Sequence, residues 1–440
     1  SIAALILMAA ASSSAFARMI PGMIEASKVE YPATLTYAAS NPQGYPRVFH
    51  TAEDIRARRQ ECATSPMLTS FLEGRLRQAA TVMDMDDDQL RALVPPVGQP
   101  VVYGLGMSLD PHNTVLRWAG YKNPRCVLGK DDVVYPNETH PDDGSGWSGP
   151  DGQKCYFRAR AAGFAYQWLE IQLAALADCY ALTGEQRYAH AAAVLLDAIA
   201  PSYAADVRGP LDYPIAKGDE ECGGRLNRPY FQVARALMYY VWCFEAIMPS
   251  GELGKPSLTA PGYTMFDNVA KNLLFNGGIY CLGFALDGTQ LHNGHADYVR
   301  GNASVGIALG IPEMVEPLLD KTQGLRAMLD VNIDRDGFYS ESSHSYSQHT
   351  FSMYMDLADM LDAAARQGIP GAEPLYDDPA FFNPLFRYFD RAEVGGRIPA
   401  NGDCGHDTLV TSPTNLRAPV TGKSTKNAAL DQQLKDAWYL

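Results

Sequence analysis

The stretch GFAYQWLEIQLAALADCYALTGEQRYAHAAAVLLDAIA, Gly163 to Ala200, carries the clearest fold signal in the chain. Its apolar residues recur at helical spacing, stop at Thr183-Gly184, and resume at once in a second run of similar length. This is a helical hairpin. Working outward, the same unit returns as Pro229–Ala246 with Tyr263–Leu274, Asp297–Leu309 with Pro312–Leu329, and Gln348–Gln367 with Pro379–Phe389. Toward the N-terminus, Thr51-Ala52-Glu53-Asp54 has the form of a capping box, and Ser65 to Met85 continues the helical pattern. Strand signals are few and nothing alternates as βαβ, so the fold class is mainly α. Many hairpins in one domain stack as a solenoid or close into a ring, and periodicity alone does not choose between them. The exception is Val94 to Lys154, rich in Pro, Gly and Asp and holding Trp118 and Trp147. A connection that long is usually functional, and it is expected to form one wall of a cleft.

The 440 residues, 47% apolar and 20% charged, describe a folded soluble chain. Thirty-six basic against 50 acidic residues give a net charge of −14, which disfavours nucleic acid as a partner because phosphate binding needs a basic face. A polyanion held by a few local cations stays open. Ile2 to Ala11 is apolar but too short to span a membrane, and Ala15-Phe16-Ala17 has the small-x-small form of a signal-peptidase site. Residues 1–18 are therefore expected to be a signal-peptide remnant, and the protein to be secreted or periplasmic. Eight cysteines occur without a CxxC pair, which argues against a zinc ribbon. Cys179, Cys243 and Cys281 lie in apolar runs and read as core residues, whereas Cys126 and Cys155 flank a Gly/Asp-rich loop and are a pair that an exported protein could bridge.

Two segments concentrate proton-transfer groups. QLHNGHADYVRGN, Gln290 to Asn302, puts His292, Asn293, His295, Asp297, Tyr298 and Arg300 at the start of a helix. DGFYSESSHSYSQHTFSMY, Asp336 to Tyr354, puts His344, Tyr346 and His349 at the start of another. Four of the nine histidines fall in these two segments. Each residue has an ordinary explanation, since Asn caps helices and Tyr packs cores. Together they match one chemistry. Elimination across a uronic acid requires the carboxylate to be neutralised so that the proton on C5 can leave, a base to take it, and an acid to protonate the departing O4. Asn, His and Arg suit the first task; His or tyrosinate suits the second; Tyr or His suits the third. Glycoside hydrolysis would instead need two facing acids, and among Glu170, Asp297, Glu341 and Asp403 no pair stands out.

From Ala161 to Asp403 the order of these motifs resembles the heparinase II/III-like and alginate-lyase group of polysaccharide lyases. The resemblance rests on the hairpins, on Asn293-Gly294-His295 opening a helix, on the DG-x-Y…SY element ending at Tyr346, and on Pro399-Ala400-Asn401-Gly402-Asp403. It implies an incomplete (α/α) toroid over 19–400, with 401–440 a junction loop and final helix, and the usual C-terminal β-sheet domain absent or truncated. It also implies that Tyr346 is the catalytic acid, with a further role as base left open. Asn293 and His295 would neutralise the uronate carboxylate, His295 serving as base on one epimer, and His406 would match a later histidine of the group. Arg225 and Asn227 are implied substrate contacts, and His292, Arg300, His344 and His349 are expected to line the same site. No cofactor is implied for the chemistry, although a structural divalent metal is compatible with it. The expected partner is an acidic polysaccharide or oligosaccharide, with neither nucleic acid nor membrane. A separate β-sheet chain or a second copy is also compatible with the group. The competing readings are an (α/α)-barrel glycoside hydrolase or epimerase, and a non-catalytic acidic-glycan-binding protein with Trp118, Trp147 and Trp168 lining its groove.

Overall fold

A computed structural model describes residues 21–103, 109–204, 226, 230–288, 290–334, 339–341, 343–375, 397–398 and 408–409. Its helices are α1 Pro21–Ala26, α2 Ala52–Glu61, α3 Pro66–Ala79, α4 Asp87–Leu93, α5 Phe157–Thr183, α6 Gln186–Ala204 and α7 Tyr230–Ile247. They continue as α8 Met265–Leu286, wound as a π helix over Val269–Phe275, then α9 Asn293–Leu309, α10 Glu316–Leu319, α11 Leu325–Asn332 and α12 His344–Arg366. Helices α5, α7, α9 and α12 pack one against the next, while α3 and α6 lie on α5 and α8 lies on α9. This inner and outer layering is that of an incomplete (α/α) toroid.

The local sequence explains the elements. Helix α5 is buried on nearly every side, as an inner helix must be, and stops at Gly184, whose φ of 75° is left-handed and whose amide returns to the Tyr180 carbonyl. The capping box at Thr51 is formed with Asp54, and Ser65 caps α3. Layers are fastened by buried polar links. Asp178 on α5 accepts the Trp242 indole N–H of α7 at 2.9 Å and pairs with Arg75 of α3 at 2.8 Å; burial pushes its carboxyl up to about 6 in spite of that arginine. Glycine sets the spacing where α7, α8 and α9 meet. A Cβ on Gly301 would stand 2.6 Å from Cys281 Sγ and 3.0 Å from Ala234 Cβ. Gly301→Ala is therefore expected to lower unfolding free energy by about 1–3 kcal/mol through overpacking. An unchanged urea midpoint would show that the three helices can part without cost.

The irregular 94–154 segment is ordered by two buried carboxylates. Asp110 accepts the amides of His112, Thr114 and Lys130, and Asp142 those of Gly144, Gly146 and Arg158. Strands β1 Arg117–Trp118, β2 Val127–Leu128 and β3 Val134–Tyr135 form one small sheet; β4 Trp147–Ser148 and β5 Lys154–Cys155 form a hairpin. Strands β1 and β2 rest on α5. The bridge considered for Cys126 and Cys155 is absent, as both are free thiols. Cys155 is packed with Leu116, Val127, Tyr135 and Phe157, where burial pushes its thiol up to about 11, while the Cys126 thiol turns to the Asn123 side chain. Cys179, Cys243 and Cys281 are core residues as expected. Residues 1–18, Pro379–Phe389 and Asp431–Leu440 lie outside the described residues; β6 Arg397–Ile398 pairs with β7 Thr408–Leu409. Among the described helices, α8 is long and apolar enough to cross a membrane by length and composition, and it is largely buried against its neighbours.

One surface link is pH-sensitive. His190 of α6 meets Glu252 through Nδ1 at 2.9 Å and Asp87 of α4 through Nε2 at 2.8 Å. Burial alone would lower its pKa, but hydrogen bonds and charges from the two carboxylates outweigh that and raise it above the ordinary value. A histidine with a raised folded pKa adds stability that is fully present below its unfolded pKa of about 6.5 and fades as pH climbs through the folded value. The stability gap between wild type and His190→Gln should accordingly be widest near pH 6 and shrink at alkaline pH in urea titrations. A gap independent of pH would show that the link holds without its charge.

Candidate active site

The two histidine-rich segments meet. Helix α9 begins at Asn293, with His292 as its N-cap: the His292 Nδ1 accepts the Gly294 amide at 2.9 Å. The cap is thus the histidine, and Asn293 is the first helical residue. Helix α12 begins at His344, capped by the Ser343 hydroxyl, which accepts the Tyr346 amide at 3.5 Å. Tyr346 therefore sits in the first turn, half-buried against the core. Asn332, at the end of α11, donates to the Leu291 carbonyl just before α9 and to the Tyr354 hydroxyl of α12 at 2.8 Å. Tyr339 is buried with its hydroxyl beside Thr350 of α12 and the backbone of Asn293. Two helix N-termini so placed both favour a negative charge near them.

Which side chains share the junction follows from helical geometry. Asn293, Asp297 and Arg300 lie on one face of α9, being four and three residues apart; Tyr346, His349 and Thr350 do the same on α12. An ion network joins these faces. Asp297, with no solvent exposure, accepts from Arg235 of α7 at 2.8 Å and from Arg300 at 2.7 Å. Arg300 also donates to Asp356 of α12 at 2.8 Å. Arg235 reaches on to His349, its Nη2 lying 2.8 Å from the imidazole Nε2. A guanidinium only donates, so His349 accepts through Nε2 and carries its proton on Nδ1. Burial, then the charges of Arg235 and Arg300, lower the His349 pKa against the opposing pull of Asp297, and the ring is neutral at pH 7.

His295 takes a different direction. It projects from the opposite face of α9 to Asn293 and is 2% exposed, with Nε2 2.9 Å from the Gln323 carbonyl. A Cβ on Gly288 would touch its ring at 2.6 Å, so only glycine lets the loop lie so close. Burial lowers its pKa, and the neighbouring His292 lowers it further. Sequence reasoning grouped these two histidines with Asn293, whereas His295 turns to the Gln323 carbonyl and His292 is exposed at the cap of the helix. Of the remaining expected residues, His344 opens α12, and Arg225, Asn227 and His406 lie outside the described residues.

Arg235 was missed by sequence reasoning. Its signal was available: a lone cation inside the apolar run YFQVARALMYYVWCF, where a charge needs a buried partner. Of the carboxylates weighed for hydrolysis, the described ones have separate surroundings. Asp297 is locked in the network, Glu170 is buried and accepts the Tyr240 hydroxyl at 2.9 Å, Glu341 is exposed, and Asp403 lies outside the described residues. Trp118 and Tyr121 pack on Trp168 with centroids 5.5 and 5.7 Å away, and Trp147 packs on His140. Among the described residues, no group of three or more His, Cys, Asp or Glu could hold a metal ion.

No protein-family model matches the sequence, and no curated protein matches it significantly. Among solved structures, the chain is similar to an alginate lyase from Bacteroides ovatus, at 12% identity and a TM-score of 0.48, over 90% of this chain and 96% of that one. It is also similar to alginate lyase A1-III from Sphingomonas species A1, at 15% identity and a TM-score of 0.36, over 87% of this chain and 79% of that one. A variant of A1-III complexed with tetrasaccharide aligns at 15% identity and a TM-score of 0.41, over 87% of this chain and 91% of that one.

Proposed function

We propose that the protein is a polysaccharide lyase that cleaves a uronic-acid polymer by β-elimination. The observation that carries this reading is the Arg235 bridge. It joins Asp297, one turn beyond Asn293, to His349, one turn beyond Tyr346, and so supports a site in which the faces carrying that amide and that phenol are served by one cation. A substrate carboxylate held there would have its charge offset as C5 becomes carbanion-like, which is the largest barrier to elimination. The C5 proton leaves to a base, the C4–O4 bond breaks, C4=C5 forms, and Tyr346 returns a proton to O4. The reaction so written draws on no cofactor, and a divalent metal would serve structure alone. A polymer substrate outside the cell accords with export to the periplasm or medium.

The carboxylate arrangement favours elimination over hydrolysis, since the described acids are locked or apart. The experiment is ultraviolet absorbance during incubation with alginate, hyaluronan, heparan and other uronate polymers across pH. A rise from the conjugated C4=C5 product is the expected result and names the substrate class. New reducing ends without absorbance would mean hydrolysis. Neither signal, with binding retained, would mean a glycan-binding protein.

A further inference from the structure

We propose that Arg235 binds the substrate carboxylate directly, through the end of its guanidinium that faces away from Asp297. This rests on the lyase reading and assigns the anion-binding residue of that site. Arginine has five N–H donors in a fixed plane. In Arg235, Nε and Nη2 engage Asp297 at 2.8 Å, and Nη2 also reaches His349. Nη1, with two N–H groups, has no protein partner among the described residues. The side chain is 35% exposed, in contrast to Arg300, which is 10% exposed and engaged at both ends by Asp297 and Asp356.

The surroundings fix where that free end can act. Asp297 and His349 hold the guanidinium between the second turns of α9 and α12, and its carbon lies 4.8 Å from the Phe231 ring centroid. Among the described residues, Arg235 meets a carboxylate only on the edge turned to Asp297. An incoming carboxylate meets a preoriented donor at no further cost in side-chain ordering. Lysine at this position could satisfy Asp297 or the ligand but not both, because it lacks the planar fork.

The test measures binding in a Tyr346→Phe background, so that ligand is not consumed. The probes are alginate and hyaluronan tetrasaccharides and the same molecules with carboxyls reduced to alcohols. Arg235→Lys and Arg235→Gln should each weaken binding of an acidic tetrasaccharide at least about tenfold, or about 1.4 kcal/mol, while the reduced form binds equally to all three proteins. Thermal midpoints are recorded alongside; the lysine variant keeps a cation beside Asp297 if the glutamine variant folds poorly. Equal affinity for the acidic probes in a folded lysine variant would overturn the assignment. So would an equal loss for acidic and reduced probes, or no binding of any acidic probe before Arg235 is changed. Absence of unsaturated product from wild type sinks the lyase reading instead, and the affinity contrast still decides the role of Arg235.

Discussion

Tyr346→Phe should lower kcat by about 10²–10⁴-fold, the usual worth of a positioned acid–base group, with KM and stability nearly unchanged. The substitution removes one oxygen and keeps the ring that packs against the core. The Tyr346 amide bond to Ser343 Oγ is made by the backbone and survives. Binding contacts common to ground and transition states stay in place, so the loss falls on kcat. Initial rates by absorbance over a range of polymer concentrations separate the two constants. A kcat within tenfold of wild type would move the proton-transfer role elsewhere, with His349, one turn along the same helix face, as the next residue to change.

The largest expected effect on stability comes from Asp297→Ala. Asp297 is fully buried and is shared by Arg235 and Arg300, so its removal strands the buried Arg300 guanidinium with Asp356 as its remaining partner. Breaking a buried ion pair by deleting one member costs about 3–5 kcal/mol, because the surviving charge has lost its hydration without compensation. Arg235 would also lose the anchor that orients it, so activity should fall in the fraction that stays folded. Urea unfolding reports the first effect. A loss below about 1 kcal/mol would mean that water enters to solvate Arg300, which the packing of α7, α9 and α12 argues against.

What the sequence determined by itself is what depends on neighbours along the chain. The Gly163–Ala200 hairpin, the Thr51 capping box, the Gly184 stop and the core cysteines follow from spacing, capping chemistry and apolar runs, which act over a few residues, whereas Pro312–Leu329, read as one helix, is a 3-10 turn and two short helices. The concentration of proton-transfer groups in two polar segments was legible as composition, four histidines in two short stretches. Tertiary structure alone decided which of those residues share a surface. Asn293 and His295 are two residues apart in sequence but on opposite faces of α9, and only the packing of α7 and α12 makes one face the junction. Arg235, some sixty residues from Asp297 and more than a hundred from His349, enters the site because three inner helices pack side by side. The thiols of Cys126 and Cys155 stay apart for the same kind of reason: their separation in space is set by the small core under β1, β2 and β5, which loop composition does not encode.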